Sequence, residues 1–234
     1  MKILKKIYYK KYSKTSYAIS GVDLIIDRMF SRLKKGIYLD LGCNHPIKYN
    51  NTYLLHKRGW RGINIDSDTK SIQEFKKFRP DDYNINTLIS EKKSKIKYYF
   101  YHDRSPLNTV DYLLVKKRKA KPKRIILKET NTLNSIIENS PFKKNKINLL
   151  SIDIENHEYE ALKNFKFNKY KIDCIVIEII NTKNKKIETQ NQNLKYILKS
   201  KVYKLLIKNS YKLINWVNSD LVFINKRANI WNLD

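Results

Sequence analysis

Apolar residues recur along the chain in short blocks, some at helical spacing and some in runs too short for anything but a strand. Val22, Leu24, Ile25, Ile26, Met29, Phe30 and Leu33 lie on one helical face and predict a helix over residues 22–33, with Gly36 placed to stop it. Ile37–Leu41 then reads as a first strand, and residues 51–58 as a helix ended by Gly59. Gly62–Asp66 is a second strand, followed by a helix over Thr69–Phe78 that Pro80 closes. Alternation predicts strands at Tyr83–Ile89 and Lys95–Tyr101, with a loop from His102 to Thr109. A short helix over Thr132–Glu138 follows, capped by Thr130 or Asn131.

The second half repeats the theme. Ile147–Ile154 is a strongly apolar strand ending in acids, with a helix over Glu158–Phe165 behind it. Cys174–Ile180 is another apolar strand, with Glu178 near its end, and Leu194–Leu198 begins a last helix. Tyr203–Ile207 and Tyr211–Asn215 read as a strand pair, and Leu221–Asn225 completes the sheet. Strands alternating with helices predict an α/β fold: a mostly parallel sheet, helices on both faces, and an antiparallel C-terminal edge. Residues 1–35 read as a basic arm and helix, and residues 36–234 as one globular domain.

Composition changes this picture little, but charge adds to it. The 234 residues carry 49 Lys and Arg against 22 Asp and Glu, a net charge of +27. Such an excess favours polyanions: nucleic acid, acidic polysaccharide or an anionic membrane surface. The alternative is compositional: A/T-rich codons, which also encode Asn, Ile and Tyr, would supply the same lysine without any binding role. Residues 116–128 hold basic side chains with no acid between them, a pattern expected of a solvated loop or face. Tyr98, Tyr99 and Tyr101 interleave with Lys97, His102 and Arg104, either as a stacking surface or as a half-buried strand. No apolar run reaches the ~20 residues of a membrane-spanning helix, and none near the N-terminus makes a signal-peptide core. Cys43 and Cys174 fall at or near buried strands, so no disulfide is expected and a reducing, cytoplasmic setting follows.

The candidate chemistry sits where strands end. Asp40-Leu41-Gly42 closes the first strand and Asp66 the second, a pairing that suits a nucleoside: glycine admits backbone to the ligand, and the acid accepts from ribose hydroxyls. The turn Gly42-Cys43-Asn44-His45-Pro46 lacks the G-x-G-x-x-G of dinucleotide sites, and no Walker motif is present. A nucleoside cofactor without phosphates, such as S-adenosylmethionine, fits that turn.

Three ordered segments, Tyr38–Pro46, Asn51–Asp66 and Leu149–Leu162, resemble the FkbM-type methyltransferases over about residues 36–225. The resemblance implies a Rossmann-like class I methyltransferase fold and transfer from S-adenosylmethionine to a hydroxyl of a sugar, glycan or glycan precursor. Asn156 stands where the family has glycine, and Asn tolerates the left-handed conformation that the turn needs. Carried over, the resemblance puts Asp40, Gly42 and Asn44 around the methionine end of the cofactor and Asp66 on the ribose with Ser67 beside it. Asn86 and Ser90 would flank the adenine, and Asp153 would face the methyl group.

Methyl transfer to a hydroxyl needs an aligned oxygen and a base for its proton. Asp153, Glu155, His157 and His45 are the candidates, with Asp153 preferred because a neighbouring sulfonium would keep it ionised. Asp153, Glu155 and Glu178 offer oxygen ligands that suit Mg²⁺, the alternative being that Glu155 points away from the others. The acceptor is then a sugar, a sugar nucleotide or an anionic polysaccharide. Two other functions fit the charge: an RNA methyltransferase, without any RNP-like motif, and a non-catalytic basic binding module.

Overall fold

The computed structural model describes residues 12–179, 193–228 and 230. Among these, nineteen elements follow in chain order: α1 (Val22–Met29), β1 (Ile37–Leu41), α2 (Tyr53–Lys57), β2 (Arg61–Asp66), α3 (Thr69–Phe78), β3 (Tyr83–Asn86), β4 (Leu88–Ile89), β5 (Lys95–Phe100), α4 (Tyr112–Lys117), β6 (Arg124–Asn131), α5 (Leu133–Glu138), β7 (Leu149–Ile152), α6 (Glu158–Leu162), α7 (Phe167–Tyr170), β8 (Cys174–Glu178), α8 (Leu194–Lys199), α9 (Lys201–Lys208), β9 (Tyr211–Val217) and β10 (Asp220–Asn225).

The main sheet has seven strands in the order β3-β2-β1-β7-β8-β10-β9, and a second has three, β4-β6-β5. Strands β3, β2, β1, β7 and β8 run parallel, while β10 and β9 are antiparallel additions. The expected α/β sheet with an antiparallel C-terminal edge is therefore present. Its central strands are buried on both faces, which is why they read as continuous apolar runs. Tyr38, Leu149, Cys174, Val176 and Val222 face α1 and α2 with Trp60 and Phe30. Leu39, Leu41, Leu150, Ile152, Ile175, Ile177, Leu221 and Phe223 face the opposite layer, where Leu162, Phe167, Ile197 and Leu206 pack. Both cysteines are buried and unpaired. No helix among the described residues is long and apolar enough to cross a membrane.

Several expectations need correction. Helix α1 stops at Met29, four residues early, because Arg58 reaches over to donate to the Phe30 and Leu33 carbonyls and pairs with Asp27. The predicted strand 83–89 divides between the two sheets: β3 pairs with β2, and after Thr87 the chain crosses to pair β4 with β6. The basic run 116–128 contains the end of α4 and the start of β6, where Arg124 and Lys128 share the strand with Ile125, Ile126 and Leu127. Residues 203–207 are helical, not a strand: Ser200 caps α9 by accepting from the Tyr203 amide at 3.1 Å, and Val202 and Leu206 bury one helical face. Strand β9 therefore pairs with β10 instead. Thr132, rather than Thr130 or Asn131, caps α5 through the Ser135 amide. The helix after β7 ends at Leu162, and α7 is a separate turn. Ile180 and residues 1–11 lie outside the described residues.

Candidate active site

The chain leaves β1 for β2 on one side and later returns to place β7 on the other, so the sheet order reverses at β1. A crevice opens outside the carboxyl ends of the strands at such a point. Gly42 lies there with φ 80°, its N–H donating to the Ile65 carbonyl at 2.9 Å. A Cβ on Gly42 would stand 1.7 Å from the Asp153 carbonyl oxygen. Only glycine fits between the ends of β2 and β7.

On the β2 side, Asp66 accepts from the Asn44 amide at 2.8 Å and the Asp68 amide at 2.7 Å. Burial pushes its pKa up to about 6 against those two bonds. Asn44 itself has φ 50°, which aims its amide at the carboxylate. Ser67 donates to the Tyr98 hydroxyl at 3.0 Å, and its carbonyl accepts from Lys128. Asn86 is exposed and donates to the Asp66 carbonyl at 2.9 Å. The turn from Gly42 to Pro46 carries no acid of its own, and the Asn44 amide is what it offers to the Asp66 carboxylate.

Beneath the turn, Asp40 shares the sheet face of Tyr38 and is 3% exposed. Its carboxylate accepts from Asn50 at 3.0 Å and Thr52 at 2.8 Å. Arg79, wholly buried, donates to the Pro46 carbonyl, to Asn50 Oδ1 at 2.8 Å and to Thr52 Oγ1 at 2.9 Å. The faces of Phe75 and Tyr53 enclose its guanidinium. Asp40 thus shapes the 43–52 loop from below. His45 serves the same loop: its Nδ1 accepts from the Ile47 and Lys48 amides at 3.0 and 2.9 Å, and its Nε2 lies 3.6 Å from Glu74.

The β7 side is a ring of carboxylates. Asp153 follows β7, Glu178 ends β8, and Asp220 opens β10 opposite Glu178. Burial, with Glu178 and Asp220 beside it, holds the Asp153 carboxyl well above the usual carboxylate range, although the residue opens onto solvent. Ser219 donates to Glu178 Oε1 at 2.9 Å, while Oε2 is buried and meets no donor. Burial and the neighbouring acids push Glu178 up to about 8.

The loop after Asp153 is bent by two left-handed residues, Glu155 at φ 55° and Asn156 at φ 73°. Asn156 therefore adopts the conformation expected where glycine is usual. Glu158 holds the bend by accepting from the Ile154 amide at 3.1 Å and the Asn156 amide at 3.3 Å. Glu155 turns to Arg118 at 2.7 Å. Ser90 and His157 meet, Oγ to Nε2, at 3.2 Å, and burial lowers the His157 pKa so that the ring is neutral near pH 7. Among the described residues no group of three or more His, Cys, Asp and Glu side chains is arranged to hold a metal ion.

The Methyltransferase FkbM domain matches residues 40–205, well over half of the 234-residue chain. The chain belongs to the FkbM methyltransferase family. No curated protein matches it.

The matched stretch of this FkbM methyltransferase begins at Asp40 and contains every strand end described above except the start of β10. Asp220, outside it, joins the carboxylates only because β10 folds back antiparallel onto β8. Arg79, Arg118 and Glu158 also escaped sequence reasoning. Glu158 carried a readable signal, an acid in the first turn of a helix. Arg79 carried none, since its partners lie 27 to 33 residues earlier in the chain.

Proposed function

We propose that this methyltransferase uses S-adenosylmethionine and acts on a hydroxyl of a sugar, glycan or glycan precursor. The observation that carries the reading is the contrast between the two sides of Gly42. Asp66 offers a carboxylate already organised by backbone amides, suited to ribose hydroxyls, with Ser67 beside it. Across the turn, Asp153, Glu178 and Asp220 make an acidic recess in a chain of net charge +27, suited to a cationic ligand. The residues fit the cofactor: Gly42 leaves its backbone bare, no phosphate cradle is needed, and the buried Glu178 Oε2 lacks a donor.

When bound, the cofactor supplies an electrophilic methyl group on sulfur. Asp40, Asn50 and Arg79 hold the turn through which Gly42 and Asn44 would receive its amino-acid end. Asn86 and Ser90 would flank the base. Asp153 would serve as general base, taking the acceptor hydroxyl's proton as that oxygen receives the methyl group and the methyl–sulfur bond breaks to leave a neutral thioether. Burial and the neighbouring carboxylates raise the proton affinity of Asp153, and a cationic ligand beside it favours the ionised form that can accept. His157, neutral and next to Ser90, is the second candidate base. His45, its Nδ1 already accepting two amides, positions the loop.

Calorimetry tests the cofactor: the wild type should bind S-adenosylmethionine, and Asp66→Ala should not. A methyl-transfer screen over simple sugars, nucleotide-linked sugars, anionic polysaccharides and RNA tests the acceptor. Labelling of RNA alone would overturn the glycan reading.

A further inference from the structure

The three-stranded sheet has two unlike faces. The inner face turns Tyr98, Phe100, Arg124 and Lys128 toward α3, around a cavity of about 390 Å³. The outer face carries Ile125 and Leu127, which are 59% and 66% exposed. Cross-strand pairing sets Tyr99 beside Ile125 and Lys97 beside Leu127. Tyr112 of α4 stacks on Tyr99 at 5.9 Å and is itself 53% exposed, so it joins the same patch. A solvated sheet face ordinarily presents polar side chains at such positions. Here three large apolar groups stand in water side by side.

Their surroundings are cationic. Lys97 is exposed next to Leu127, and Lys116 lies over the Tyr112 ring at 4.7 Å. Lys119, Lys121 and Lys123 are exposed on the connection that leads from α4 into β6. Glu129, the acid on this face, is paired with Lys95. Aliphatic side chains ringed by lysines are the chemistry of an interface between acyl chains and anionic headgroups. A second copy of the chain would bring one lysine-rich face against another, at a net charge of +27 each. Nucleic acid would pair with the lysines but gain little from Ile125 and Leu127.

We propose that the outer face of the small sheet docks this protein onto an anionic lipid surface, with Tyr112, Ile125 and Leu127 entering the interface and the lysines meeting headgroups. Docking places the surface beside the candidate site's own framework. The Arg118 that follows α4 pairs with Glu155, Asp111 accepts from Asn156, and Thr109 donates to the Glu155 carbonyl at 3.0 Å. The segment that meets lipid is thereby fastened to the loop that follows Asp153. Binding to lipid does not depend on the methyl-transfer reading.

Flotation of the full chain with vesicles tests this. Phosphatidylcholine vesicles containing phosphatidylglycerol should carry the protein up, and pure phosphatidylcholine vesicles should not. Ile125→Ser/Leu127→Ser, at exposed positions, should keep the wild-type circular dichroism and melting temperature while weakening binding roughly tenfold or more. Lys119→Gln/Lys121→Gln/Lys123→Gln should also fold normally and weaken binding, by roughly fivefold per lysine that faces the headgroups. The proposal is overturned if the wild type ignores anionic vesicles, or if the folded double serine variant binds them as well as wild type does. It is equally overturned if sedimentation shows a wild-type dimer that the serine variant converts to monomer with no lipid binding by either, since the face would then join two copies.

Discussion

Asp66 is the residue on which the site's design can be measured most directly. Its carboxylate is held half-buried, with a pKa raised from 3.8 to about 6 chiefly by burial. A raised acid favours its protonated form in the folded state, so the associated stability is fully present below pH 3.8 and is lost as pH rises through about 6. Two pKa units correspond to about 3 kcal/mol, and solvent access to a half-buried group reduces this to about 1.5 kcal/mol. Asp66→Asn removes the ionisation. It also gives up one of the two amide bonds, a loss of about 1 kcal/mol that does not vary with pH.

The melting temperature of the variant relative to wild type should therefore climb by about 3–6 °C between about pH 4.5 and 7.5, since 1 kcal/mol is worth about 2–4 °C in a chain of this size. S-adenosylmethionine should raise the wild-type melting temperature near neutral pH and leave the variant where it was. Wild-type binding should weaken below about pH 6 as Asp66 takes up a proton. A melting difference that stays flat across this range refutes the burial argument. Equal stabilisation of both proteins by the cofactor refutes the ribose assignment.

Gly42→Ala puts a side chain 1.7 Å from the Asp153 carbonyl in a left-handed backbone, and should lower the melting temperature by at least about 5 °C and abolish cofactor binding. Normal binding by a folded alanine variant would show that the strand ends can part. Arg79→Lys keeps the charge but not the fork that reaches Pro46, Asn50 and Thr52, so equilibrium dialysis should show the cofactor held roughly tenfold more weakly. Unchanged affinity would remove Arg79 from the support of the turn. Glu178, at about 8, is largely protonated near neutral pH, and a cation arriving beside it should expel that proton. Calorimetry in buffers of different ionisation heat should register release of roughly half a proton or more on binding, cut by about half in Glu178→Gln. Release that is the same in both proteins would assign the proton elsewhere.

Local pattern carried a good deal of this molecule. The apolar blocks that make β1, β2, β7 and β8 were readable because strands buried on both faces need apolar side chains throughout. Gly42, Asp66 and Asp153 were readable as strand-end residues, and Asn156 as a left-handed one. Residues 203–207 misled because a five-residue stretch broken only by Lys204 fits either period, and burial of Val202 with Leu206 decides for a helix. The strand within residues 116–128 was hidden by the basic run that leads into it and by Arg124 and Lys128, which the rings of Phe100 and Tyr98 accept on the inner face.

The chain's own order of residues determined that a glycine turn, a second strand-end acid and a late acidic strand end would occur on parallel strands, because each depends only on neighbours within one element. Tertiary structure alone decided what those groups become. Reversal of the sheet at β1 brings Gly42 against Asp153, and the antiparallel return of β10 adds Asp220 to Glu178. Arg79 slides beneath a loop some thirty residues earlier in the chain. Their proton affinities and their partners depend on distance and burial, and neither quantity exists until the chain has folded.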